Sequence, residues 1–99
     1  MIYIKVYKST REVVAVCDEE LLGRKFEEGK KQLDVRESFY KGENVSYKKT
    51  VEMMRRHSKN NATFNIVGPN SIKAAKQAGI ITDAHIGKIK GIKFALFLG

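Results

Sequence analysis

Ninety-nine residues suit one compact domain, so residues 1–99 are read as a single unit without room for a second. With 42% hydrophobic and 30% charged residues, the chain has the composition of a globular protein rather than a disordered one. The formal net charge is +8, and Cys17 is the sole cysteine, which excludes an internal disulfide and a cysteine-only metal centre.

In chain order, Ile2–Tyr7 alternates strictly, with Ile2, Ile4 and Val6 on one side and Tyr3, Lys5 and Tyr7 on the other. Period two with β-branched residues predicts a strand. Glu12–Cys17 (EVVAVC) predicts a second strand, and the short polar connection predicts that the two pair as an antiparallel hairpin. Asp18 then stands where a side chain caps a short helical turn through Glu19 and Glu20, closed by Gly23. Arg24–Gly29 (RKFEEG) is expected to be another short turn. Lys31–Tyr40 (KQLDVRESFY), with Leu33 and Val35 alternating, is expected to be a strand that runs into a loop at Lys41–Asn44.

Ser46 is placed to cap a helix over Tyr47–Lys59, in which Tyr47, Val51 and Met54 form one apolar stripe and Asn60-Asn61 end it. Ala62–Val67 predicts a strand, and Pro69–Gly79 a second helix that buries Ile72 and Ala75 and exposes Lys73 and Lys76. His85–Leu98 predicts two strands joined around Lys90-Gly91, with Phe94, Leu96 and Leu98 on one face and Lys93, Ala95 and Phe97 on the other. The expected architecture is α+β: a mixed or antiparallel sheet with two principal helices.

The charge is unevenly placed. Residues 1–45 hold nine Lys/Arg against nine Asp/Glu, whereas residues 46–99 hold ten Lys/Arg against Glu52 and Asp83 alone. An excess confined to one region creates a positive potential that attracts polyanions. On the first helix, Lys48, Arg55 and Lys59 lie near one face, and Lys49 and Arg56 form an adjacent ridge. Together with Lys73, Lys76, Lys88, Lys90 and Lys93, they supply the donors that phosphates accept. Tyr3, Lys5 and Tyr7 on one strand face either stack on unpaired bases or lie half-covered by a packed helix.

Gly68-Pro69-Asn70-Ser71 opens a helix, whose free N–H groups suit an anion. Pro69 removes one donor, however, and the spacing is not that of a nucleotide-binding loop. The segment is first a helix start, with Pro in its first turn and Asn or Ser as cap. Cys17 with His57 or His85 could pair a nucleophile with a base, but no third orienting group accompanies them, and a buried thiol beside a capping Asp is the simpler expectation. Three consecutive acids, Asp18, Glu19 and Glu20, cannot converge on one metal from a regular element, so neither metal nor cofactor is expected.

The stretch from Val16 to Glu43 resembles the signature of an archaeal family of uncharacterised proteins, domain of unknown function 424. The matching positions are the Cys-Asp-Glu-Glu-Leu-Leu-Gly box at Cys17–Gly23, then Phe26, Glu28 and Gly29, then Phe39, Tyr40 and Gly42. Asn65–Gly68 (NIVG), Ala78–Ile81 (AGII) and Ile86–Gly91 (IGKIKG) are similar to the family as well. The resemblance implies the fold and an archaeal cytosolic setting, and carries no established activity.

The lone thiol fits a reducing compartment, no apolar run reaches the roughly 20 residues that span a bilayer, and the amino terminus lacks a signal sequence. A cytoplasmic protein without a membrane partner is therefore expected. Its expected function is that of a non-enzymatic RNA- or ribonucleoprotein-associated domain, with a link to translation, that contacts phosphates through second-half Lys/Arg. The alternative is a protein-interaction adaptor that uses the acidic surface of Asp18, Glu19, Glu20, Glu27 and Glu28, and a Cys17-dependent enzyme ranks third.

Overall fold

A computed structural model describes every residue from Met1 to Gly99. Its main sheet contains β1 (Ile2–Tyr7), β2 (Val13–Asp18), β5 (Glu43–Val45), β6 (Thr63–Val67), β7 (Gly87–Ile89) and β8 (Ile92–Phe97), in the order β5-β1-β2-β6-β8-β7. The expected hairpin is present: β1 and β2 are antiparallel, with Ile4 opposite Val16. The sheet is mixed because β2 and β6 run parallel, whereas β6–β8 and β8–β7 are antiparallel.

Alternation along these strands sends two sets of side chains to opposite faces. Ile2, Ile4, Val14, Val16, Phe64, Ile66 and Ala95 face the helices α2 (Tyr47–Ser58) and α3 (Pro69–Gln77) and form the larger core with Val51, Met54, Ile72 and Ala75. Ala15, Cys17, Val67 and Phe94 face the other way, toward a smaller core with Leu21, Val35 and Tyr40. The outcome is a helix layer, a central sheet and a thinner covering layer.

The covering layer departs most from expectation. Arg24–Gly29 is no turn: Lys25–Glu28 is strand β3, paired antiparallel with β4 (Lys31–Asp34) in a hairpin that Gly29 turns at φ +60°. The strand expected to run through Tyr40 stops at Asp34, and Glu37–Tyr40 folds into the short helix α1. A two-stranded hairpin is marginal alone. This one is held because Phe26 and Leu33 pack against the smaller core.

Helix α2 starts as expected, with Ser46 Oγ accepting from Lys49 N at 3.1 Å. Its buried side is wider than the three-residue stripe, since Thr50, Met53 and His57 are buried too. His57 Nδ1 lies 2.6 Å from Glu12 Oε1, which ties the end of α2 to the start of β2.

Candidate nucleic-acid interface

The order of the chain turns a compositional shift into a spatial one. The covering layer, from the 3₁₀ turn Glu19–Leu21 through α1, comes entirely from the charge-neutral first part, whereas α2, α3, β7 and β8 come from the basic second part. Cations of the second part therefore gather on the helix side. Lys48, Lys49, Arg55 and Arg56 are all exposed on α2, as are Lys59 at its C-cap and Lys73 and Lys76 on α3.

Lys73 and Lys76 converge with Lys93 of β8. With Pro69 and Ile72 these lysines line a groove of about 250 Å³. In the β7–β8 register, Lys88 stands directly opposite Lys93. Like charges facing each other across strands destabilise a sheet, so the pair is favoured when an anion offsets it, and within the chain Asp83 lies in the field of Lys93. Lys76 Nζ bonds Asp83 Oδ1 at 2.6 Å. The hydrogen bond from Lys76, then its charge, with a further contribution from Lys93, hold the Asp83 carboxyl below the usual carboxylate range.

Most of the other cations are uncommitted. The side chains of Lys48, Lys49, Arg56, Lys59, Lys88 and Lys93 form no hydrogen bond or ion pair within the protein. Arg55 differs, because its Nη2 donates to Gln77 O at 3.1 Å and so serves the carbonyl end of α3, where a cation also suits the helix dipole. Lys90 sits in the β7–β8 turn, where its backbone N–H donates to Glu28 Oε1 at 2.8 Å and joins that turn to the β3–β4 hairpin.

Tyr3, Lys5 and Tyr7 lie on the opposite face of the sheet and do not form an open stacking surface. Helix α1 folds over them: Phe39 stacks on Tyr7 with centroids 5.3 Å apart, and Tyr7 Oη donates to Phe39 O at 2.8 Å. Lys5 Nζ donates to Ser38 O, and Tyr3 is half-buried against the smaller core. The aromatic ring among the cations is instead Tyr47, which the sequence offered only as part of an apolar stripe. Lys73 Nζ lies 5.9 Å from its ring centroid, and its hydroxyl donates to Gln77 Oε1 at 2.6 Å.

Asp18 is the principal correction. It does not belong to an acidic surface, because its side chain is fully buried. It stands at the cap position of the 3₁₀ turn without bonding that turn. Its carboxylate caps α3 from across the sheet: Oδ2 accepts from Asn70 N at 3.0 Å, and Oδ1 accepts from Ser71 N at 2.8 Å and from Ser71 Oγ at 2.7 Å. The helix start that could hold a phosphate thus already holds an anion of its own chain, and neither Asn70 nor Ser71 serves as the cap. Gly68 makes the approach possible, since a Cβ there would come within 2.5 Å of Asp18 Cγ, and its φ of +106° suits only glycine.

The remaining acids of the expected adaptor surface are exposed, and three of them are engaged, Glu27 by Lys25 at 3.6 Å. Glu19 accepts from Asn44 Nδ2 at 3.3 Å, and Glu28 holds the turn at Lys90. Cys17 is fully buried, and burial first, then the charges of Asp18 and Glu20, push its thiol up to about 12. It faces the smaller core, whereas His57 belongs to the helix layer and His85 bonds to Thr82, so neither histidine pairs with it.

The sequence matches the family described as "Protein of unknown function (DUF424)" over residues 7–98. The chain belongs to the DUF424 family. A search of curated proteins gives no match. Among solved structures, the DUF424 fold is shared by an uncharacterised conserved protein from Methanopyrus kandleri, at a TM-score of 0.87 and 20% identity over 97% of this chain and 89% of that one. At that identity the likeness speaks for the fold, as the resemblance at Cys17–Gly42 implied. No helix is long and apolar enough to cross a membrane.

Proposed function

We propose that the protein is a non-enzymatic RNA- or ribonucleoprotein-associated domain, with translation as its setting, that contacts phosphates through its helix side. One observation carries this reading: Lys73, Lys76 and Lys93, drawn from two elements, line a single groove, with Lys88 beside it and the free cations of α2 in the same layer. Scattered solvating lysines would need neither the convergence nor the like-charged pair. Lysine is a compact mobile charge that suits phosphate without demanding a particular base, so the contact positions an RNA rather than reading it.

Titration of labelled RNA at several salt concentrations tests the proposal. Wild type should bind more weakly as salt rises. Lys73→Ala with Lys93→Ala should flatten the log–log slope by about 0.7 for each single-strand phosphate that is no longer neutralised. Salt-independent binding, or no binding, would remove the proposal.

A further inference from the structure

Resting on that phosphate-binding reading, we infer that the protein takes single-stranded RNA and seats one unpaired base beside Tyr47. A second cavity, of about 230 Å³, lies next to the lysine groove and is lined by Met1, Ile2, Tyr47, Asn70 and Lys73. Lys73 is common to both cavities, so a strand lying across α3 can put a phosphate on the groove side and the attached base on the Tyr47 side. The volume falls below the roughly 300 Å³ at which pockets for drug-sized ligands begin, which suits one planar base rather than a whole nucleotide cofactor.

The lining has the chemistry that unpaired bases use. Tyr47 and the exposed apolar side chain of Met1 offer a face for stacking above the buried Ile2, and the Asn70 side-chain amide, which bonds nothing within the protein, can meet the donor and acceptor edge of a base. Tyr47 is held in place: its hydroxyl is fixed by Gln77, and its ring packs on the edge of the larger core. Lys73 lies over that ring at 5.9 Å, near the limit of a cation–π contact, so it is readily released to a phosphate when a base arrives. A duplex keeps its bases stacked inside and can use the lysines but not this cavity.

The test compares wild type, Tyr47→Leu and Tyr47→Trp against a short single-stranded RNA and the corresponding duplex at matched salt. Tyr47→Leu keeps an apolar side chain on the stripe while removing the ring, and should weaken single-strand binding by about five- to hundredfold and leave duplex binding unchanged. Wild type contains no tryptophan, so the indole introduced by Tyr47→Trp is the sole such reporter. Its emission should be quenched by the single strand and not by duplex at equal phosphate concentration, and this arm decides the matter even if the leucine variant fails to fold. Salt-dependent binding that Tyr47→Leu leaves unchanged, or equal quenching by both RNAs, overturns the base pocket and spares the phosphate reading. No salt-dependent affinity in wild type overturns both.

Discussion

The two layers that cover the sheet treat their charges in opposite ways. In the thinner layer, charged groups are largely used up within the chain: Arg36 bonds Asp34 at 3.1 Å, Lys41 and Glu37 lie 3.6 Å apart, as do Lys25 and Glu27, and Glu28 holds the turn at Lys90. In the helix layer, Lys48, Lys49, Arg56 and Lys59 answer to nothing inside the protein. Exposed pairs such as those of the first layer contribute little to stability. What they do is cancel its field, whereas the field of the helix layer is left uncancelled. Net charge alone does not separate these cases; the distribution of ion pairs does.

The sharpest contrast is between a charge that builds the fold and charges that leave it untouched. Asp18→Ala should have the largest effect, about 3 kcal/mol or more, because it removes three charge-assisted bonds and strands two backbone donors at the start of α3. Thermal unfolding should show a midpoint lowered by more than about 12 °C. A shift of only a few degrees would mean that α3 is capped by other means.

Cys17 sharpens the comparison from the buried side. Its thiol ionises near 9 when exposed and only near 12 in the folded state, so the unfolded chain loses its proton first as pH rises. Stability should therefore fall between about pH 9 and pH 12, by at most about 1.4 kcal/mol per pH unit from this group. Tyr40, pushed up to about 12 by burial and then by Cys17, adds to the same limb. Denaturant unfolding across that range should show a shallower decline in Cys17→Ala than in wild type, and identical slopes would contradict the assignment.

Arg55 and Arg56 make the comparison within one helix. Arg55→Ala should cost about 1 kcal/mol by removing the bond to Gln77 O, and Arg56→Ala should stay within about 0.5 kcal/mol. Paired chemical denaturation checks both, and equal effects would break the distinction between a committed and a free cation.

Local and distant encoding explain which features could be read along the chain. The β1–β2 and β7–β8 pairs and the α2 cap were legible because local alternation and a local serine encode them. The β3–β4 hairpin was not, since Lys25–Asp34 is rich in Lys and Glu, which are poor strand formers, and it stands through tertiary packing of Phe26 and Leu33. The cap by Asp18 was hidden for a different reason. Its partners lie 52 and 53 residues away, while the neighbouring Glu19 and Glu20 imitate a local helix start. The cations were all visible in the sequence. Their convergence at one groove, and the place of Tyr47 beside it, required the packing of α3 against α2 and β8.

The central claim, that the helix layer reserves its charge for RNA phosphate, is tested most directly by the salt dependence of RNA affinity in two variants. One replaces Lys48, Lys49, Arg56 and Lys59 by Ala, which should preserve α2 because Ala is the best helix former and these side chains have no internal partners. The other replaces Lys30, Lys31 and Lys41, whose field nearby acids already offset. The first should weaken binding at low salt and flatten the log–log slope by about 0.7 for each single-strand phosphate left without its cation, while the second stays close to wild type. Equal slopes in the two variants would contradict the claim.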